Sequence, residues 1–127
     1  MKKVVATKNA PGPVGPYSQA VIAGGLVFTA GQAGLDPQTG KVVAGGCAAQ
    51  TAQTLKNLEA VLEAAGSGLD RAIKATVFLA DLTDFALMNE VYKGFFKENP
   101  PARSTVQVAR LPLDALVEIE LVALAGE

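Results

Sequence analysis

Histidine is absent from this 127-residue chain, and cysteine occurs only once, at Cys47. Without histidine, the sequence excludes Ser-His-Asp and Cys-His nucleophilic machinery, the His-Glu-x-x-His metalloprotease site and the paired imidazoles of many metal-independent ribonucleases. A single cysteine excludes an internal disulfide and any Cys-x-x-Cys redox or zinc motif. Acid–base chemistry in this chain must therefore use carboxylates, tyrosine, lysine, backbone groups or water.

Long apolar runs and an excess of one charge are also lacking. The net charge is −1 and the lysines and arginines are scattered along the chain, which makes nucleic acid a poor candidate for a partner. No apolar run approaches the roughly 18 to 20 residues that cross a bilayer, and the N-terminal residues do not resemble a secretory signal. We expect a soluble, cytoplasmic protein that forms one domain over residues 1–127.

Turn-forming residues divide the chain into short strands and two helices. The Gly-Gly pair at 24–25 predicts a hairpin turn between strands at Ala20–Ala23 and 26–32, because glycine accepts the positive φ of tight turns. Apolar residues at helical spacing predict helices over 51–65 and 84–97. The predicted order is β, β, β, α, β, α, β, β, an α+β fold in which two helices cover one face of a sheet of six strands.

The face of the sheet away from the helices is predicted to be partly apolar. It would present Phe28, Thr76, Phe78, Thr105, Gln107, Glu120 and Val122. An exposed apolar patch of this kind usually marks an interface. We therefore expect a homo-oligomer with Arg103 and Glu120 near its subunit interfaces.

The C-terminal stretch, residues 101–124, combines two predicted strands with charged side chains. Period-2 alternation places Arg103 and Thr105 on one face of the first strand, and Glu118 and Glu120 on the polar face of the second. An arginine at the start of a strand, followed by two glutamates on the polar side of an apolar strand, indicates a site. An edge hairpin with a surface ion pair explains the same alternation.

Cys47 and Asn89 have structural explanations that compete with functional ones. Cys47 lies near the start of the first helix, where no base or metal partner is evident, so we expect a small buried hydrophobe rather than a nucleophile. Asn89 lies off the apolar stripe of the second helix. Helical periodicity favours its exposure, although it could also point towards a pocket.

Several short motifs are distributed along the whole chain. They are Asn-Ala-Pro at 9–11, Gly-Pro-Tyr at 15–17, Gly-Gln at 31–32, Asp-Pro-x-Thr-Gly at 36–40, Thr-Val-Phe-Leu-Ala-Asp-Leu at 76–82, Pro-Ala-Arg-Ser at 101–104, Val-Ala-Arg-Leu-Pro at 108–112 and Val-Glu-Ile-Glu at 117–120. Together they resemble the Rid family, also called the YjgF or UK114 family. The resemblance implies a chorismate-mutase-like α+β fold with a six-stranded mixed sheet, assembled as a homotrimer with ligand clefts between subunits.

The resemblance also implies an activity. The best-defined subgroup of the family hydrolyses reactive 2-imino acids to 2-keto acids and ammonia, with neither cofactor nor metal. By position, Arg103 would bind the substrate carboxylate, and Glu120 would act as the catalytic residue that holds the attacking water. Backbone groups beside Gly31 and Thr105 would position the imino nitrogen, and Tyr17 would line the cleft.

Two positions depart from the family pattern. Active deaminases of the family typically have serine and cysteine where this chain has Ala30 and Thr105. We therefore expect an altered rate or substrate range. Asn89 matches a family position near the site, in contrast to the exposure that periodicity favours.

Three other functions remain open at the level of sequence, one of which is a chaperone-like interaction through exposed apolar surface. The protein could bind keto acids or other small carboxylates in its clefts without turning them over. It could also be an endoribonuclease or translation inhibitor, a label that relatives have carried. The absence of histidine and of a basic groove weakens the endoribonuclease alternative.

Overall fold

The computed structural model describes residues 1–126 and contains one mixed sheet, two α-helices and short 3₁₀ turns. The strands are β1 (Lys3–Val5), β2 (Ala20–Ala23), β3 (Leu26–Thr29), β4 (Gln32–Ala33), β5 (Ala72–Leu79), β6 (Ala102–Gln107) and β7 (Val117–Leu124), and the helices are α1 (Gly46–Ala64) and α2 (Phe85–Phe95). The strand order is β1-β2-β3-β7-β5-β6, with β4 also paired to β7. Only the β5–β6 pair is parallel within these residues. The predicted α+β class and the two helices are confirmed.

The sheet has seven strands where the sequence predicted six. The difference arises because the predicted arm at 26–32 is interrupted after Thr29. Upstream of the break, β3 pairs with the C-terminal part of β7, and downstream β4 pairs with its middle, where Gln32 lies opposite Ile119. At the break, the hydroxyl of Thr29 accepts a hydrogen bond of 2.9 Å from the backbone N–H of Leu121, which satisfies a ladder donor that would otherwise lack a partner.

Glycines end two elements where the sequence predicted. Gly24 and Gly25 have φ values of 59° and 78° and form the two-residue turn between β2 and β3. Gly66, with φ of 75°, follows α1, and its N–H donates to the carbonyl of Glu63 while that of Ser67 donates to the carbonyl of Leu62. This pair of bonds is a Schellman cap.

The buried core lies between the two helices and one face of the sheet. Its fully buried members include Leu55, Leu58, Val61 and Leu62 of α1, Val77 and Leu79 of β5, Met88 of α2, and Ile119 and Leu121 of β7. Cys47 is part of this core, and burial raises the pKa of its thiol, so the predicted role as a small hydrophobe is confirmed. Within residues 1–126, neither helix combines the length and apolarity that crossing a membrane requires.

The opposite face of the sheet, which we call the open face, is partly apolar. It carries Phe28, Thr76, Phe78, Val106, Glu120 and Val122. The prediction was wrong for Thr105 and Gln107, because they pair with the buried Val77 and Leu79 and so share the helix-covered face. Period-2 alternation separates the two faces of an edge strand but does not say which face a helix will cover.

Candidate functional site

Arg103 lies on β6, opposite Ala75 of β5, on the face that α2 covers. Its guanidinium carbon is 4.7 Å from the ring centroid of Tyr92 and 5.6 Å from that of Phe85. Its Nη1 atom is 4.0 Å from the sulfur of Met88. No carboxylate among residues 1–126 forms an ion pair with this guanidinium. Arg103 is therefore a half-buried cation that keeps most of its N–H donors available for an anionic ligand, with one N–H directed at the Met88 sulfur.

A cleft of about 590 Å³ opens beside Arg103; we call it the Arg103 cleft. Its walls include Asn89, Tyr92, Phe96, Pro100, Pro101 and Arg103. Asn89 is half-buried there rather than exposed, because α2 lies against the edge of the sheet. At the rim, Lys93 and Glu90 form an exposed ion pair of 2.8 Å, of the kind that contributes roughly 0 to 1 kcal/mol.

Two buried hydroxyl groups next to Arg103 lack hydrogen-bond partners within residues 1–126. They are the Oγ1 atom of Thr105, two residues along the same strand face, and the phenolic oxygen of Tyr92. An unsatisfied buried hydroxyl costs roughly 1 to 3 kcal/mol, and such groups are uncommon. The Thr105 hydroxyl shares a strand face with the unpaired Arg103, which indicates a place where a polar ligand is bound.

A second pocket, of about 530 Å³, lies at β4; we call it the Glu118 pocket. Its walls include Val14, Tyr17, Gly31, Pro112, Leu113 and Glu118. Glu118 lies opposite Phe78 of β5, which belongs to the open face. Tyr17 is half exposed, and its hydroxyl accepts a hydrogen bond of 3.2 Å from the backbone N–H of Val14.

The Glu118 carboxylate rests directly against the backbone of Gly31. A Cβ atom at position 31 would overlap this carboxylate, with the Glu118 Cδ only 2.8 Å away. Partial burial raises the pKa of Glu118 above its ordinary value, and the negative charge of Glu120 raises it further. A raised carboxyl pKa in a pocket is typical of a group that transfers protons.

Buried amide side chains fix the loops around the Glu118 pocket. Gln19 holds the 7–11 backbone through four hydrogen bonds. Asn57 donates to two carbonyls of the 33–35 segment, and Gln50 accepts from the backbone N–H just before β7. Sequence reasoning missed these residues, although polar side chains on the inner face of an otherwise apolar helix were a signal for two of them.

The structure divides the predicted site residues into two groups on opposite faces of the sheet. Arg103, Thr105 and Asn89 lie at the Arg103 cleft or next to it, whereas Tyr17 and Gly31 line the Glu118 pocket. Glu120 lines neither: it is exposed on the open face and pairs with Thr76. Its neighbour Glu118, which sequence reasoning left without a role, occupies the pocket. Among residues 1–126, no three His, Cys, Asp or Glu side chains are grouped as a metal site requires.

Comparison with known proteins gives consistent matches over the whole chain. Residues 7–125 match the family model described as endoribonuclease L-PSP. The chain is 56% identical over 126 residues to the RutC family protein UK114 of Drosophila melanogaster, covering 99% of this chain and 91% of that protein. It is 47% identical over 126 residues to the human 2-iminobutanoate/2-iminopropanoate deaminase, covering 99% and 92%. The crystal structure of E. coli TdcF with bound serine is 47% identical, with a TM-score of 0.93 and coverage of 98% and 99%.

Proposed function

We propose that this chain, which belongs to the endoribonuclease L-PSP family, also known as the Rid or YjgF family, hydrolyses 2-imino acids to 2-keto acids and ammonia. The observation that carries the proposal is the Glu118 carboxylate, held against Gly31 with a raised pKa in the pocket beside Tyr17. The human relative named 2-iminobutanoate/2-iminopropanoate deaminase supports the reaction class.

The chemistry needs an anchor, a water and one proton relay. Arg103 would bind the substrate carboxylate through two parallel N–H donors and thereby orient the imine carbon. Glu118 would take a proton from water as the water oxygen bonds to the carbon of the protonated imine. The same proton would then pass to the nitrogen. As the C–N bond breaks, Glu118, again a carboxylate, would take the remaining hydroxyl proton while the C=O bond of the keto acid forms, and this proton would leave with the ammonia as ammonium. An imine is already electrophilic once protonated, so no strong nucleophile is required.

This assignment moves the proton relay from Glu120, where the family resemblance had placed it, to Glu118. Glu118 fits the role because it lines a pocket and is partly desolvated, whereas Glu120 is exposed. Tyr17 would form one wall of the same site. Gly31 would contribute by lacking a Cβ, which leaves space for the carboxylate next to the backbone.

The substrate site would require a second copy of the chain. Arg103 and Glu118 lie on opposite faces of one sheet, so one chain cannot present both to the same small substrate. We propose a homotrimer in which the Glu118 pocket of one protomer meets the Arg103 cleft of the next. Such head-to-tail contacts close into a ring. The partly apolar open face, where Phe28 is 45% exposed, supports this assembly.

The test is to intercept the imine before it reacts with solvent. A threonine dehydratase generates 2-iminobutanoate, and semicarbazide traps it as a semicarbazone. We expect the protein to lower the yield of semicarbazone while the yield of 2-oxobutanoate rises. If trapping stays at the buffer rate while 2-oxobutanoate binds saturably, the protein is a carboxylate-binding module. The first variants to make would then be Ala30→Ser and Thr105→Cys, which restore the residues of active deaminases.

The raised pKa of Glu118 predicts that activity depends on pH, and that the charge of Glu120 shifts this dependence. If the carboxylate form accepts the proton of water, activity should fall as the pH decreases through the pKa of Glu118, which lies above the ordinary 4.5. Glu120→Gln removes a neighbouring negative charge, so the pKa should move down and activity should persist to lower pH. The main cause, burial, remains, so the pKa should not return fully to its ordinary value. The measurement is the pH profile of kcat/KM for both proteins, each corrected for uncatalysed imine decay.

The same shift has a consequence for stability with a fixed sign. A carboxyl whose pKa is higher in the folded than in the unfolded state contributes stability below its unfolded pKa and loses that contribution as the pH rises through its folded pKa. Glu118→Gln should therefore flatten this part of the dependence of unfolding free energy on pH.

For the activity profile, an acid limb in Glu120→Gln that is unchanged from the wild type would contradict the coupling between the two carboxylates.

A further inference from the structure

The way Arg103 is held differs from the usual arrangement for a half-buried arginine. Such a guanidinium is commonly paired with a carboxylate, yet none pairs with Arg103 among the described residues. Its neighbours are instead two aromatic rings and a thioether. We propose that Tyr92 is a positioning residue: its ring, with that of Phe85, holds the guanidinium of Arg103 ready for the substrate carboxylate. This inference rests on the proposed function, which gives Arg103 a carboxylate ligand.

The Tyr92 ring is well placed for this role. Its centroid is 4.7 Å from the guanidinium carbon, inside the distance at which an aromatic face attracts a cation. The ring itself is fixed, because only 5% of Tyr92 is exposed and it packs against Phe96 in a tilted arrangement with centroids 4.6 Å apart. Phe85 is farther from the guanidinium, at 5.6 Å, and 39% exposed. Tyr92 is therefore the main contact, and Phe85 a supporting one.

Holding Arg103 by ring faces has a consequence for ligand binding. A carboxylate partner within the chain would occupy the N–H donors of the guanidinium and would compete with a substrate carboxylate for them. A ring face attracts the charge without accepting all of these donors. The cradle of Tyr92 and Phe85 therefore orients the cation while it leaves the planar fork available.

The hydroxyl group of Tyr92 lies near the guanidinium of Arg103, but it forms no hydrogen bond of good geometry with it. It is buried and has no hydrogen-bond partner within residues 1–126. Burial raises the pKa of Tyr92 and outweighs the opposing effect of Arg103, so the phenol stays neutral and is not a hidden counter-ion. Tyr92→Phe should therefore keep the function and should not destabilise the fold, because it removes an unsatisfied polar group and keeps the ring.

The experiment compares Tyr92→Phe and Tyr92→Leu, with Leu58→Ala in the core of α1 as the control for general destabilisation. Calorimetry with 2-oxobutanoate measures the affinity of the carboxylate site. We expect Tyr92→Leu to raise Kd, and KM for 2-iminobutanoate, by about 3- to 30-fold, with a smaller effect on kcat. Tyr92→Phe should match the wild type. Leu58→Ala should lower Tm without raising Kd.

A second readout is independent of any ligand. The Nε–Hε resonance of Arg103, assigned with Arg103→Lys, should show the ring-current shift and the restricted motion of a stacked guanidinium. Both should persist in Tyr92→Phe and disappear in Tyr92→Leu. If the wild type bound no 2-oxobutanoate, the proposed anchor would fail, and this resonance would still decide whether the cradle exists. The inference is overturned if the resonance of Tyr92→Leu is unchanged, if Tyr92→Phe loses as much affinity as Tyr92→Leu, or if Leu58→Ala raises Kd equally.

Discussion

Replacing Arg103 by alanine is expected to lower kcat/KM for 2-iminobutanoate by about 100- to 10,000-fold. Two hydrogen bonds from a guanidinium to a carboxylate contribute roughly 1.5 to 3 kcal/mol each, and 1.4 kcal/mol corresponds to a factor of ten. Within residues 1–126 no other cation is placed to take over, since Lys93, the other positive side chain at the cleft, is exposed and paired with Glu90. Steady-state rates of imine removal at several substrate concentrations give the loss directly.

Two further variants separate the anchor from a loss of charge. Arg103→Lys should recover only part of the activity, because an ammonium group lacks the planar fork that binds both carboxylate oxygens. Lys56→Ala removes the same charge from an exposed position on α1 and should leave the rate unchanged. Equal activity in Arg103→Ala and the wild type would show that Arg103 does not bind the substrate carboxylate.

Glu118→Gln is expected to lower kcat by about 100- to 10,000-fold, the usual contribution of a positioned acid or base. Glutamine keeps the size of the side chain and removes only its ability to transfer a proton. The matched control is Glu120→Gln, which makes the same chemical change two residues along the same strand face. Glu120 is exposed and lines neither pocket, so its variant should keep nearly full kcat near neutral pH.

The comparison of these two variants decides between the family-based and the structural assignment. A large loss in Glu120→Gln with little change in Glu118→Gln would return the proton relay to Glu120. Retention of kcat in both would show that water attacks without help from either carboxylate. Unfolding midpoints measured in parallel ensure that a loss of rate is not a loss of folded protein.

The two glutamates show which features of the candidate site can be predicted from the sequence. Alternation correctly placed Glu118 and Glu120 on one face of β7, opposite the buried side chains. It could not choose between them, because the choice depends on β4, a two-residue strand whose Ala33 pairs with Glu118. Such a short strand has no periodicity of its own, so the pairing that builds the pocket cannot be read from local sequence.

Long-range contacts explain the other differences. The hairpin at Gly24 and the cap at Gly66 were predictable because backbone conformation at those positions depends on the residue itself. The inward orientation of Thr105 depends instead on which face of β6 lies under α2. The contact of Tyr92 with Arg103 joins that helix to that strand, and the apolar stripe of α2 predicted only that Tyr92 would be buried.

The central claim is that Arg103 and Glu118 act on one substrate from two different protomers. Its most direct test is to co-express Arg103→Ala and Glu118→Gln chains with different affinity tags, isolate assemblies that carry both tags, and measure imine hydrolysis.

In a head-to-tail trimer that contains both chains, about one interface in three combines an intact Arg103 from one chain with an intact Glu118 from the next. We therefore expect isolated assemblies that carry both tags to recover about a third of wild-type activity, while each variant alone stays near the buffer rate. Mixed assemblies that are no more active than the separate variants would contradict a site shared between protomers.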